Sequence, residues 1–576
     1  MDGLQHHEWA VRIAQGDRPT DGAYFRAPLY YYLLGGVYRL VGVSPMAGRV
    51  LGIVFGAVVC YLIARLGILL AGPRAGVLAG LLAAVYWPLI HFDGELLTVG
   101  LENLLNVAFL LVLLAARKRR SSVLTFLAGA LFGLSAITRP NVLVFAPVLM
   151  IWFFLAEQAA PRLLRTLKLT ALVGVGAALV ILPVTIRNLV VADDLVLIAA
   201  NGGVNFFIGN NPESDGASAL LPGARKSVEA GYIDTHRIAE AAEGRPLKES
   251  EVSRFWYHQA WKWIAAEPGK AARLMLWKFM LFWSAAEISN NMPIGPSAGL
   301  SSDSALFWID FPVVACLGIA GLTLLSDWRR WFLPVAFGVV YMLTVVLFFC
   351  NERYRMPVAP ILILLTAAGL DRLIEVIRSR QGFLLFSYLM IGGGVGLFML
   401  MCPPKRSEHR LLEQGQWHFM LGNYYRGRGV TDAVNYGRAA KEYVQAMELM
   451  PTNPDPEFQL ASLLVTVGRL DEAEKRFVDV ITKHPEHVEA RFAYAQLLAS
   501  TGRDAEAVTQ LSKCVEQREM FAEAHEALGC LLLTQGKKAA AERHLRRALE
   551  IAPDFAKARS CLQLVGQLPA PNNKSP

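Results

Sequence analysis

Carboxylates and guanidinium groups collect at the edges of apolar stretches in this sequence, where charges are costly and are functional suspects for that reason. Asp2, Glu8 and Asp17 precede the first long apolar run, and Asp93 and Glu95 sit in the tight turn His91-Phe-Asp-Gly-Glu95. Arg139 sits in Thr138-Arg-Pro-Asn141, and Glu352-Arg-Tyr-Arg-Met-Pro357 follows the apolar run 332–350. A carboxylate at a membrane surface can take the proton of an acceptor hydroxyl or amine. Arginines there can hold a departing lipid phosphate through charge-assisted, often bidentate hydrogen bonds. The Gly- and Asn-rich stretch Asn201–Asn211, with Asn201, Asn205 and Asn210, offers backbone donors suited to a sugar or phosphate. Each group also has a plainer reading. Asp93 and Glu95 suit the N-terminus of a helix starting near Leu96, Arg353 and Arg355 suit snorkelling at a membrane edge, Arg139 suits a closed turn, and Asn201–Asn211 suits a bare loop. His6, His7 and His91 are too few and too scattered to suggest a metal site.

The elements that must position these groups are all helical. Of 576 residues, 54% are hydrophobic and 18% charged, against about 25% charged in ordinary soluble chains. The excess lies before residue 403. Apolar segments at 47–70, 76–91, 99–116, 122–137, 141–156, 167–187, 309–325, 332–350, 357–371 and 383–402 read as about ten membrane spans, the shorter ones completed by tilt or interfacial ends. Arg117-Lys118-Arg119-Arg120, Arg162 with Arg165 and Lys168, Arg329-Arg330, and Arg372 with Arg378 and Arg380 then share one side, which the positive-inside rule makes cytoplasmic. The net charge of +8 thus orients the chain rather than attracting nucleic acid. Residues 1–46, 92–98, 138–140, the large loop 188–308, 351–356 and everything after 402 fall on the opposite face. Within that scheme Leu274–Ala286, carrying Lys278, reads as an interfacial helix, and Pro28–Val41 as an amphipathic helix along the membrane.

Residues 403–414 read as a linker, 415–566 as a repeat domain of about four units, and 567–576 as a disordered tail. Gly468, Gly502 and Gly536 are 34 residues apart, as are Ala439, Ala473, Ala507 and Ala541. Ala461, Ala495 and Gly529 keep the step, as do Pro451, Pro485 and Pro553, with Glu519 in the one missing place. This is the tetratricopeptide (TPR) period, in which small residues let paired helices approach and prolines end the second helix. Gly422 falls five residues early, so the first repeat should have a longer turn. Stacked repeats form a concave surface suited to a protein partner. Seven cysteines, at 60, 316, 350, 402, 514, 530 and 561, show no paired spacing, and imply neither a disulfide framework nor a metal. Residues 1–26 lack the apolar core of a signal peptide.

Taken in order, Asp2…Trp9-Ala10…Ile13…Gly16, Ala27-Pro-Leu-Tyr30, Phe92-Asp-Gly-Glu-Leu96, Leu134…Thr138-Arg-Pro-Asn141, Asn201-Gly-Gly…Asn205-Phe…Gly209-Asn-Asn211…Asp215-Gly216 and Glu352-Arg-Tyr-Arg-Met-Pro357 resemble the GT-C glycosyltransferases of the dolichyl-phosphate-mannose–protein mannosyltransferase type. That group includes the bacterial aminoarabinose transferases, and some members are fused to TPRs. The resemblance covers about residues 1–400 and implies an inverting sugar transfer from a polyprenyl-phosphate donor on the non-cytoplasmic face. It places a catalytic acid at Asp2 and a second at Asp93 or Glu95. It makes Arg353 and Arg355 the phosphate ligands, with Tyr354 beside them and Arg139 behind. It further implies a multi-pass protein of the bacterial inner membrane, a protein, lipid or glycan acceptor, and TPRs on the extracytoplasmic side. No cofactor is certain; a divalent metal is compatible with the family, and no ligands for one stand out. Family members carry a span ahead of the acidic loop, whereas the likeness here begins at residue 2, so an upstream helix is expected. Two other readings stand beside this one. A membrane-anchored TPR scaffold would act without catalysis. A transporter would show internal repeats or mid-membrane charges in its spans, and no clear repeat is present there.

Overall fold

The computed structural model describes residues 2–157, 161–219, 221–222, 228–286, 288, 309–404, 406–429, 433–552 and 554–567. Among these, regular structure is helical, apart from an isolated bridge between Tyr86 and Ile309. The chain divides into two compact units, one running to His409 and the other from Arg410 onward.

The first unit contains α1 (Asp2–Gln15), α2 (Leu29–Val41), α3 (Pro45–Ala71), α4 (Pro73–Val85), α5 (Trp87–Asp93), α6 (Val99–Arg119), α7 (Ser122–Ala136), α8 (Ala146–Ala156) and α9 (Arg162–Ala192). It continues with α10 (Gly202–Gly209), α11 (Val228–Glu243), α12 (Glu249–Ala266), α13 (Pro268–Phe282), α14 (Phe311–Gly321), α15 (Trp328–Leu347), α16 (Glu352–Arg355), α17 (Ala359–Arg378) and α18 (Gly382–Met401).

Every expected span is helical, but only α3, α6, α9, α15 and α18 combine at least 18 residues with a sufficiently apolar stretch. The expected span 76–91 is broken at Tyr86, where Pro88 cannot continue a helix: α4 stops at Val85 and α5 restarts at Trp87. α17 forms the axis, with every residue from Ala359 to Gly369 buried. Around it Phe109, Phe145, Trp152, Phe311 and Phe337 fill a continuous core. Glycines set the closest approaches. A Cβ at Gly129 or Gly176 would come within 2.3 Å of the facing helix's backbone, so α7 and α9 pack at near-contact distance. The basic helix ends are tied together: Arg117 at the end of α6 donates to Ala156 O of α8 (2.9 Å), and Arg330 at the start of α15 donates to Leu70 O of α3 (3.0 Å). The described part of the loop expected at 188–308 is largely helical, and α9 runs on into it as far as Ala192.

Lys278 overturns the expectation of a charge resting at an interface. It is fully buried. Its Nζ donates to Gly209 O, Asn210 Oδ1, Leu347 O and Phe348 O at 3.0, 3.0, 3.4 and 2.9 Å. The three backbone carbonyls among these lie at the ends of α10 and α15, where no intrahelical donor remains and a cation is favoured.

The second unit stacks α19 (Arg406–Gly429), α20 (Val434–Leu449), α21 (Asp455–Thr466), α22 (Leu470–Lys483), α23 (Val488–Ser500), α24 (Asp504–Gln517), α25 (Ala522–Thr534), α26 (Lys538–Ile551) and α27 (Ala556–Gln567). The residues that keep the 34-residue step do what the period requires. Ala439, Ala461, Ala473, Ala495, Ala507 and Ala541 are completely buried, and Gly468, Gly502 and Gly536 turn the chain with φ of +80°, +78° and +74°. In the first repeat Gly422 takes the small-residue role against the Tyr443 ring, while the turn at 430–432, the repeat proline at 553 and the tail from 568 lie outside the described residues. Two expectations are corrected. Helix α19 begins at Arg406, inside the stretch read as a linker, and Cys530 is disulfide-bonded to Cys561. Spacing could not reveal that pair, because the sulfurs meet across non-consecutive helices α25 and α27.

Candidate active site

Pro140 decides where the first arginine points. It cannot extend α7 and instead opens a 3-10 turn, and Arg139 before it is extended (φ −152°, ψ 108°), as a residue preceding proline must be. Its side chain enters the bundle. The guanidinium pairs with Glu102 of α6 at 2.9 Å, donates to the Tyr341 hydroxyl of α15 at 3.4 Å, and lies 4.6 Å from the centre of the Tyr354 ring. Tyr341 also donates to the Glu102 carboxylate. Asn141 adds a bond to Thr344 Oγ1 at 3.0 Å. Glu102 is only 1% exposed. A lone carboxylate at that depth is untenable, so it and Arg139 require one another.

The second arginine group arrives from the far end of α15. Arg353 lies 4.8 Å from the same Tyr354 ring and donates to its hydroxyl at 2.8 Å. The structure therefore brings Arg139, Arg353 and Tyr354 together and adds Glu102 and Tyr341, which the sequence reading passed over. A glutamate in the first turn of an otherwise apolar span was the available signal.

Arg355 does not join them. It is buried with donors on Phe282 O, Ser284 O and Ala286 O at 3.1, 3.0 and 3.1 Å, and lies 4.5 Å from the centre of the Phe311 ring. Its place is the α13 terminus rather than a phosphate. Together with Lys278 it forms a reciprocal clamp: a cation on α13 holds the end of α15, and a cation after α15 holds the end of α13. Asn210 is likewise committed, donating to Phe206 O (2.8 Å) and Leu347 O (2.9 Å) while accepting from Lys278. Asn201 precedes α10 and Asn205 lies within it, both half-buried, and the Asn201 backbone N–H donates to Phe25 O at 3.1 Å.

The acids occupy the other side of α6. Gly52 and Gly56 of α3 clear a path for the α5 terminus, since a Cβ there would meet Asp93 O at 2.2 Å and Asp93 Oδ2 at 1.8 Å respectively. Asp93 thereby sinks beside Gly100 and lines a cavity of about 290 Å³. Burial raises the Glu95 carboxyl, with Arg49 opposing the shift. Asp2 opens α1, and its side chain lies outside the described residues. The helix it opens does reach the second acidic segment: His6 Nδ1 lies 3.0 Å from Leu96 O, and a Cβ at Gly3 would touch Leu96 at 3.5 Å. One turn of α6 thus serves both groups, with Gly100 and Asn103 beside Asp93 and Glu102 beside Arg139. Among the described residues, the one trio of potential metal ligands is Glu526, Cys530 and Cys561, far along the repeats, and two of those are disulfide-bonded.

Residues 25–186 match the family profile described as dolichyl-phosphate-mannose-protein mannosyltransferase, and residues 458–517 and 522–563 match tetratricopeptide profiles. Among solved structures, the archaeal oligosaccharyltransferase AglB from Archaeoglobus fulgidus, in complex with an inhibitory peptide and a dolichol-phosphate, is 14% identical with a TM-score of 0.36, over 72% of this chain and 54% of that one. MamA from Desulfovibrio magneticus RS-1 is 17% identical with a TM-score of 0.24, over 26% of this chain and 84% of that one. A thermophilic TPR protein from Thermus thermophilus is 18% identical with a TM-score of 0.22, over 27% of this chain and 81% of that one. No curated protein sequence matches. The chain thus carries a segment similar to the dolichyl-phosphate-mannose-protein mannosyltransferases within a bundle of apolar helices, followed by tetratricopeptide repeats.

Proposed function

We propose that the protein transfers a sugar from a polyprenyl-phosphate donor to an acceptor on the non-cytoplasmic face of a bacterial inner membrane, with inversion at the anomeric carbon, and that its TPRs recruit the acceptor or a protein partner. The observation that carries this reading is the meeting of Arg139, from the profile-matched segment, with Arg353 on one tyrosine ring inside an apolar bundle. Polar groups are retained at such depth where a charged substrate is handled.

The roles are assigned from the chemistry each group can perform. Asp93 takes the proton of the acceptor hydroxyl or amine as that atom bonds to the anomeric carbon. The bond from that carbon to the phosphate oxygen breaks, its electron pair leaves with the polyprenyl phosphate, and Arg353 stabilises the growing charge. Glu102 holds Arg139, and with it Tyr354, in place. Asp2 and Glu95 serve as further acids of the same outer loops. The Cys530–Cys561 bond favours a repeat unit in an oxidising compartment.

The test is sugar transfer by the purified full chain. Asp93→Asn and Arg353→Ala should each lower kcat by about 10²-fold or more while membrane insertion and thermal midpoint are kept. Unchanged transfer in both variants would sink the assignment.

A further inference from the structure

The cavity beside Asp93 has a composition that the transfer chemistry does not explain. It lies between α3, α4, α5 and α6, and apart from Asp93, Asn103 and Cys60 its lining is Ile, Leu, Val, Ala and Gly. Asn103 is 1% exposed, lines this cavity, and has neither its amide nitrogen nor its oxygen hydrogen-bonded. A buried carboxamide with both ends unsatisfied is a costly arrangement in the absence of a ligand. Where the cavity meets the outside, its lining residues Ile53, Ala57, Ala84 and Ile90 are exposed and apolar. In a helical bundle of this composition such a face looks onto lipid, so the mouth opens sideways into the bilayer.

Three features select the occupant. It must arrive from hydrocarbon, because the mouth is apolar. It must be mostly hydrocarbon itself, since a sugar or a peptide backbone would bury many polar groups against walls that offer two polar side chains and a thiol. It must also carry one group that both donates and accepts, to satisfy the Asn103 amide and the Asp93 carboxylate together. The cavity, at about 290 Å³, is close to the lower bound of small-molecule sites, about 300 Å³, and many times the roughly 30 Å³ share of a water.

We propose that this cavity binds the hydrocarbon chain of a membrane lipid bearing a hydroxyl or amine, and that this lipid is the sugar acceptor. The binding claim stands on the cavity alone, while the acceptor role rests on the transfer reading above. Asn103 accepts and donates at the lipid's polar group and turns it toward Asp93, which removes its proton when transfer occurs. Cys60 takes no part in the chemistry.

The experiment uses the full chain in lipid nanodiscs with a photoreactive long-chain primary alcohol carrying a diazirine, compared with the same chain ending in a methyl group. The alcohol should crosslink to peptides spanning Ile53–Cys60 and Ile90–Asn103 about three- to tenfold more than the hydrocarbon, the worth of one hydrogen bond. Asn103→Leu should abolish that preference, and Ala84→Leu, which narrows the mouth from an exposed position, should cut labelling by both probes. Polyprenyl monophosphate should not displace the alcohol; if it does, the cavity houses the donor's chain and the proposal fails. Equal labelling by the two probes in the unsubstituted chain, or labels that map elsewhere, would overturn it too. Arg353→Ala separates the two ideas: it should keep the labelling and lose the transfer. Labelling as expected together with transfer that survives both Asp93→Asn and Arg353→Ala leaves a lipid site and removes the acceptor role.

Discussion

Glu102 illustrates how much can depend on one side chain. Replacing it with leucine strands the Arg139 guanidinium, and a buried charge without its partner costs about 3–5 kcal/mol, which a lowered thermal midpoint of the purified protein should register. Glu102→Gln keeps the shape and the bond from Tyr341, so it should fall between leucine and the native residue. The acids and arginines of the outer turns were legible in the sequence because charge next to an apolar run stands out. Glu102, Asn103 and Lys278 were not, because each lies inside a helix where only its neighbours in space reveal whether it is paired, orphaned or caged.

At the scale of elements, glycine spacing and two buried cations do the positioning. Gly209→Ala would drive a Cβ to within 1.9 Å of Phe348 O, at the point where Lys278 also grips α15. We expect a loss of about 1–3 kcal/mol from such overpacking, measured by thermal or denaturant unfolding in detergent. Lys278→Met removes the donor shared by four oxygens at the junction of α10, α13 and α15. Each acceptor left without a partner costs about 1–3 kcal/mol. Transfer should fall with it, since Arg353 and Tyr354 follow directly on that junction. The helices themselves were readable from apolar length. Their division was less so: Pro88 splits one expected span, and among the described residues the loop after α9 holds, besides the expected helix α13, the helices α10, α11 and α12, whose mixed composition gives no apolar run long enough to stand out.

For the whole molecule, the repeat unit offers the sharpest check. Removing the cross-link by Cys561→Ser should lower the stability of the repeats by about 2–4 kcal/mol, and the native protein should resist thiol alkylation at Cys530 and Cys561 until reduced. Single cysteines placed on exposed repeat positions should be labelled by an impermeant reagent in intact cells whose outer barrier has been opened; labelling only after lysis would place the repeats in the cytoplasm. The amino-acid sequence by itself determined the two kinds of unit, since apolar length selects a membrane bundle and a strict 34-residue step selects stacked helix pairs. It also determined that acids and arginines stand near the helix ends. Which of those charges face one another was decided only by tertiary structure: Arg139 with Arg353 on Tyr354, Arg355 on carbonyl oxygens instead, Asp93 against a cavity, and Cys530 with Cys561. A side chain's partners lie across helix contacts between segments tens to hundreds of residues apart, and no local periodicity encodes them.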